Sequence, residues 1–199
     1  GIAAGLLPDI AGYFSAHAQV AAVGLRVLLA DGSEEPWFVW LRRGDEEHGY
    51  RSPALMTCGA AFRRDAVLAV GGFWEPYQVY VEERDLCTRL IAAGHEVRYV
   101  PRWTAVHRRS PRVRSDARFV FMVTRNTVWY ILRNFSWPVA AGKLLRWLAR
   151  SCGLAWRSGE LEAWLRGWYA GVAGCGPALA TRQPVSRAQR AAVDGHFPA

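Results

Sequence analysis

One stretch of the sequence, from Gly71 to His107, constrains the fold more than any other part of the chain. It reads GGFWEPYQVYVEERDLCTRLIAAGHEVRYVPRWTAVH. A Gly-Gly turn leads through a loop of aromatic residues to an acidic helix start at Glu82. An apolar helical stripe follows and ends at Gly94, a residue type that suits a helix terminus. Because carboxylates, a candidate metal ligand and structural breaks lie so close together here, we expect the chemistry of the protein in this stretch.

The patterns around this stretch predict an α/β region that is followed by helices. Apolar runs bounded by turn signals indicate strands, and apolar residues at helical spacing indicate helices. We predict one α/β domain at 1–110, a helical extension at 111–170 and a poorly ordered tail at 171–199. The predicted strands are 19–29, 36–41, 54–62, 95–100 and 103–107, with a break at Pro101. The predicted helices are 8–16, 65–70, 82–93 and two longer ones that end near Asn134 and Trp156. A polar loop is predicted at 44–52.

The composition is that of a globular protein, with 51% hydrophobic and 21% charged residues. The four cysteines form no CxxC pair and no zinc-like spacing, which favours a reducing compartment. No apolar run approaches the roughly 20 residues of a membrane span, and no signal peptide is visible. The chain begins at Gly1 and enters a helical pattern at once, so we expect it to be a fragment.

Helical spacing predicts that the carboxylates at the start of this helix lie on two different faces. Glu82 and Asp85 share a face, and Asp85 can pair with Arg89 at a spacing of four. Glu83 falls on the other side, in line with the apolar stripe. Burial there would raise its pKa while the helix N-terminus favours its charged form, a balance that suits a general base. The alternative is that the acidic residues only complement the helix dipole.

The order and spacing of motifs in this stretch resemble the C-terminal half of family-2 glycosyltransferases of the GT-A fold. The resemblance covers about Pro8 to Asn134 and is closest to the bacterial rhamnosyltransferase-like members. It implies the C-terminal part of a GT-A (Rossmann-like) α/β domain followed by a helical extension. The matching residues are Gly71-Gly72-Phe73, Glu82-Glu83, Asp85-Leu86, Arg89-Leu90, Gly94, Tyr99-Val100-Pro101 and His107.

The resemblance implies an inverting transfer of a sugar from a nucleotide-sugar donor to a hydroxyl of a glycan or of a polyprenyl-linked acceptor. The second carboxylate of the family's Glu-Asp pair is the general base, and this position is Glu83. Here a Glu replaces the commoner Asp, which leaves Glu82 or Asp85 as alternative bases. We also expect substrate contacts at Cys58 and Gly59 and in the aromatic loop at Trp74.

His107 resembles the family histidine that helps to bind the metal and the donor diphosphate. Arg108 and Arg109 follow it, where they could bind diphosphate oxygens. Taken alone, the histidine and the arginines are equally compatible with a strand end and a solvated loop. The family's divalent cation, Mg²⁺ or Mn²⁺, is held mostly by an Asp-x-Asp motif, which this sequence lacks. We therefore expect the nucleotide-binding half to be missing and the fragment alone to be inactive.

Basic residues form one face of the predicted helix that ends near Trp156. They are Lys143, Arg146, Arg150 and Arg157. With the neighbouring tryptophans it could lie on the cytoplasmic face of a membrane and serve a lipid-linked acceptor. The alternative is a helix packed on its own domain. Two other functions are considered, an inactive glycosyltransferase-like scaffold and a nucleic-acid binder. A pI of about 9.9 prompts the second, but no nucleic-acid-binding motif supports it, so we expect no nucleic acid partner.

Overall fold

The computed structural model describes residues 3–35, 49–108 and 116–194. The chain forms two compact units. The first comprises residues 1–73, 86–109 and 187–199, and the second comprises residues 74–85 and 110–186. The helices are α1 (Leu6–Ala16), α2 (Arg64–Ala69), α3 (Glu82–Ala92), α4 (Asp116–Asn134), α5 (Trp137–Ser158), α6 (Leu161–Ala173), α7 (Gly176–Ala180) and α8 (Arg187–Asp194), and the strands are β1 (Val20–Leu29), β2 (Tyr50–Arg51), β3 (Ala60–Phe62) and β4 (Glu96–His107).

The first unit contains a mixed four-stranded sheet in the order β2-β4-β1-β3. Strands β1 and β4 pair in parallel, while β3 and β2 are antiparallel to their neighbours. Strand β1 is buried over most of its length, as expected of a parallel strand with both faces covered. The predicted α/β class is therefore confirmed.

Two hydrophobic clusters cover β1. Helix α1 contributes Leu6, Ile10 and Tyr13 to one of them. The other contains the apolar stripe of α3, with Leu86 and Leu90 completely buried. Helix α3 begins in the second unit at Glu82 and continues in the first. Its buried stripe places the acidic first turn at the start of a well-packed helix.

The structure corrects the predicted strands at two points. Strand β4 is continuous through Pro101, and its register against β1 shifts between Val100 and Thr104. The shift accommodates the proline, which has no N–H to donate. The predicted strand 54–62 is instead a 3₁₀ turn at Thr57–Gly59 followed by the short β3. The predicted strand 36–41 and residues 44–48 of the predicted loop lie outside the described residues.

Within the second unit, α4 and α6 approach closely at two glycines of α6. A Cβ at Gly167 would lie 2.7 Å from the carbonyl oxygen of Phe121, and one at Gly171 would lie 2.9 Å from Cβ of Val128. The indole of Trp129 also donates a 2.9 Å hydrogen bond to the carbonyl of Gly171. The absence of side chains at these two positions of α6 allows this helix contact.

The segment beyond Gly171 contains helices α7 and α8, where its composition predicts a poorly ordered tail. Arg182 accounts for part of this order, because its guanidinium donates to the carbonyls of Leu132 and Phe135 at 2.7 and 2.6 Å. In the first unit, Gln189 of α8 donates to the carbonyl of Ala92 at the end of α3. Across the described residues, no helix has both the length and the apolar character that crossing a bilayer requires.

The Gly167→Ala variant should be less stable than the wild type by about 1–3 kcal/mol, because the new methyl group would clash with the backbone carbonyl oxygen of Phe121, which cannot move as a side chain could. Gly153→Ala is the matched control, since Gly153 lies inside α5 and a Cβ there would meet no atom within 4 Å. Its stability should rise by up to about 1 kcal/mol through helix propensity alone. Urea unfolding measures both, and a stabilised Gly167→Ala variant would contradict the close packing.

Candidate active site

The loop 74–81, directly before α3, has a strained backbone. Gln78, Tyr80 and Val81 have φ angles of 65°, 65° and 73°. Side chains with a Cβ seldom adopt this left-handed region, and the branched Cβ of Val81 makes it costlier. Each such residue costs on the order of 1–3 kcal/mol, and strain of this kind clusters at functional sites. The strain therefore lies where the chain enters the acidic helix.

The side chain of Asn126 holds this loop in its conformation. Asn126 lies inside α4 and is completely buried. Its amide nitrogen donates to the carbonyl oxygens of Tyr77, Val79 and Tyr80, at 3.0, 2.7 and 2.9 Å. Since the amide has two hydrogens for three acceptors, at least one hydrogen is shared. These contacts offset part of the backbone strain.

Asp85 is completely buried and accepts hydrogen bonds from the side chains of Arg133, Asn134 and Tyr77. Nη1 of Arg133 lies 2.9 and 3.0 Å from its two oxygens. Nδ2 of Asn134 donates at 2.6 Å and the hydroxyl of Tyr77 donates at 3.2 Å. Burial, and then the nearby Asp85 carboxylate, raise the pKa of Tyr77, so this hydroxyl remains a donor. With these contacts directed at neighbouring side chains, Asp85 is part of the framework of the site.

Arg133 and Asn134 are contacts that the sequence alone did not predict, since they lie 48 and 49 positions after Asp85. Helical spacing predicts that Asp85 shares one polar face with Arg89. In the structure Arg89 donates to the carbonyls of Val70 and Gly72, at 2.5 and 2.7 Å. It thereby closes the end of α2 and the Gly-Gly turn.

Glu82 and Glu83, in the first turn of α3, form a coupled carboxylate pair. Their side chains interact with each other, and each also interacts with its own backbone N–H at the helix start. Oε2 of each carboxylate is buried and has no hydrogen-bond partner among the described residues. The pair therefore has two inaccessible oxygens with unused acceptor capacity.

Burial is the largest influence on the pKa of both residues. It raises the pKa of Glu82, and it raises that of Glu83 to about 8, with the neighbouring Glu82 carboxylate as the next cause. Two interacting carboxylates titrate as a pair, and one of them holds its proton to an unusually high pH. A carboxylate of this kind can accept a proton near neutral pH. Both predicted residues thus have properties of a base, and Glu83 has them to the greater degree.

His107 ends β4, and its Nδ1 lies 3.1 Å from Oε2 of Glu35. The Glu35 side chain is completely buried, while that of His107 is a quarter exposed. Such a contact fixes the orientation of the imidazole ring and leaves its other nitrogen available. Glu35 could not be found from the sequence because it lies 72 positions before His107.

The described residues contain no group of three or more His, Cys, Asp or Glu side chains that could hold a metal ion. His107 and Glu35 together fall short of a complete set of protein ligands for a divalent cation. We therefore assign no chemical step to a metal. Of the two predicted diphosphate-binding arginines, Arg108 is exposed and Arg109 lies outside the described residues.

The remaining predicted contacts differ in their surroundings. Cys58 is exposed. Gly59 is buried, and a Cβ there would lie 2.7 Å from Cγ2 of Val27, so its lack of a side chain serves packing on the sheet. Trp74 packs edge-on against Tyr77 and Trp129, with ring centroids 4.6 and 5.9 Å away. The predicted residues of the second unit are Trp74, Glu82, Glu83 and Asp85, and the described ones of the first are Cys58, Gly59, His107 and Arg108.

Some solved structures are similar to this chain. No family model matches the chain, and no curated protein matches it. The structure of mannosyltransferase PcManGT from Pyrobaculum calidifontis, in complex with GDP-Man and Mn²⁺, matches with 17% identity and a TM-score of 0.44. The match covers 98% of this chain and 55% of that one, so the chain spans about half the length of the matched structure. Similarity at this level decides neither the family nor the activity.

The Asp85→Asn variant should lose about 3–5 kcal/mol of unfolding free energy, because it leaves the guanidinium of Arg133 buried without its counter-charge. Glu162→Gln is the control, since Glu162 is 88% exposed and its ion pair with Arg166 spans 3.8 Å. That variant should change stability by less than about 1 kcal/mol. Denaturant titrations give both values, and equal losses would rule out the framework role of Asp85.

The raised pKa of Glu83 should make the folded protein less stable as pH rises from about 4.5 to about 8. In that range the folded state binds more protons than the unfolded state, so its advantage is complete at low pH and is lost as Glu83 ionises. Glu83→Gln should flatten this decline, whereas Glu75→Gln, at an exposed position in the preceding loop, should not. The test is to measure the unfolding free energy of each variant across this pH range. If the free energy of Glu83→Gln declined with pH as steeply as that of the wild type, the raised pKa would not belong to Glu83.

Proposed function

We propose that the protein is an inverting glycosyltransferase in which Glu83 is the general base. The observation that supports this most directly is the Glu82–Glu83 pair, with a raised pKa at Glu83 and a buried, unpartnered oxygen on each carboxylate. Surface acids that only complement a helix dipole remain solvated and have no cause for such a shift. The resemblance of the surrounding motifs to family-2 glycosyltransferases supports the same role.

In this reaction the acceptor hydroxyl attacks the anomeric carbon of a nucleotide-sugar. Its oxygen forms the new glycosidic bond while the bond from that carbon to the diphosphate oxygen breaks, which inverts the configuration. The hydroxyl proton passes to a carboxylate oxygen of Glu83. The strained loop and the buried Asp85 would keep the first turn of α3 in place during the reaction.

The proposed acceptor is a hydroxyl of a glycan or a lipid-linked molecule, with the protein bound peripherally on the cytoplasmic face of a membrane. Exposed apolar residues of the second unit support the membrane contact. Leu145 and Trp156 of α5 are 68% and 73% exposed. Arginines on the same helix would add attraction to anionic headgroups.

Activity is tested by measuring sugar transfer from a panel of nucleotide-sugars with the protein as its gene encodes it. Glu83→Gln should lower kcat/KM by about 10²–10⁴-fold, the usual contribution of general base catalysis. Glu82→Gln should retain most of the activity and shift the rising limb of the pH profile to lower pH, because it removes the neighbouring charge that raises the pKa of Glu83.

The pair of variants separates the candidates. Loss of activity in Glu82→Gln with a wild-type-like Glu83→Gln would transfer the base role to Glu82. No transfer with any donor would favour an inactive glycosyltransferase-like scaffold.

A further inference from the structure

The second unit contains a cavity of about 440 Å³ whose lining is basic. Its cationic side chains are Arg84 from α3 and Lys143, Arg146 and Arg150 from α5. Spacings of three and four residues place the three α5 cations on one face of that helix. No acidic residue is among the described residues that line the cavity.

The arginines of the cavity are arranged without a carboxylate to neutralise them. Within the described part of the chain, no ion pair involves Arg84, Arg146 or Arg150. The guanidinium of Arg84 lies 4.8 Å from the ring centroid of Tyr130, which directs it along the wall of the cavity. Like charges gathered around one space repel each other, and an anion between them relieves that repulsion.

The cavity also has an apolar wall. Trp147 lines it together with Tyr130 and Ile131. The indole Nε1 of Trp147 is buried and has no hydrogen-bond partner among the described residues. Because this nitrogen has no accessible surface, a molecule in the cavity would meet other atoms of the indole ring. A volume of this size is typical of pockets for small organic molecules and exceeds the needs of a single inorganic ion.

We propose that this cavity binds the phosphate or diphosphate group of an organic molecule. Arginine binds phosphate oxygens through two parallel hydrogen bonds, and several arginines together favour a multiply charged group. The apolar wall at Trp147 and Ile131 accommodates the organic part next to that group. The ligand is either a soluble phosphate ester or the head of a phosphorylated lipid, and binding does not depend on glycosyl transfer by Glu83.

The first test is calorimetric titration of the 199-residue chain with inorganic pyrophosphate at low ionic strength. Pyrophosphate should bind, and added salt should weaken binding. Arg146→Gln and Arg150→Gln should each reduce the affinity about tenfold, which is the loss of about 1.4 kcal/mol. Arg157→Gln is the matched control, because Arg157 is an exposed arginine of the same helix that does not line the cavity.

The second test distinguishes the two sources of the phosphate. Co-sedimentation is measured with phosphatidylcholine vesicles that contain polyprenyl phosphate and with vesicles that lack it. Binding that requires polyprenyl phosphate and is lost in Arg146→Gln and Arg150→Gln supports a lipid ligand, and pyrophosphate binding without vesicle binding supports a soluble one. The proposal is overturned if neither probe binds, or if Arg157→Gln weakens binding as much as the cavity variants do.

Discussion

The buried carboxylate of Asp85 is the interaction on which the candidate site depends. A charge without solvent contact is tolerated only when hydrogen-bond donors surround it, and here they come from Arg133 and Asn134 of α4 and from Tyr77 of the loop. These contacts fix the first turn of α3 relative to the last turn of α4. Glu83 belongs to that turn, so the position of the candidate base follows from the ion pair.

Helix α4 restrains the same region a second time through Asn126. Asn126 and Arg133 are seven residues apart, two helical turns, and therefore lie on one face of α4. One of them holds the strained loop and the other neutralises Asp85. Three left-handed residues in four positions would otherwise relax. The helical region is thus part of the site, which is a larger role than that of an appended extension.

The sequence was informative where the interactions are local. The start of α3 at Glu82 and its apolar stripe follow from helical periodicity, and the structure contains them. The predicted separation of Glu83 from Glu82 is not found, because the two neighbouring carboxylates interact with each other. It was uninformative about Asn126 and Arg133, because both act on residues more than 45 positions away. A polar group of residues, TRNT, between the apolar runs FVFMV and VWYI was the available signal. Order beyond Gly171 was missed for a similar reason, since it depends on distant carbonyls that accept from Arg182.

The basic face of α5 shows what spacing alone can establish. The positions of Lys143, Arg146 and Arg150 predict that these cations share one side of the helix. A shared side is compatible both with a solvated surface and with a binding site. What distinguishes the two is the arrangement of other groups around them, namely Arg84 held against an aromatic ring and the absence of an acidic side chain from the described residues that line the cavity. Arg84 directly follows Glu83, so the turn that carries the candidate base also carries a cation of the cavity. A phosphorylated ligand in that cavity would therefore lie within the same unit as the base.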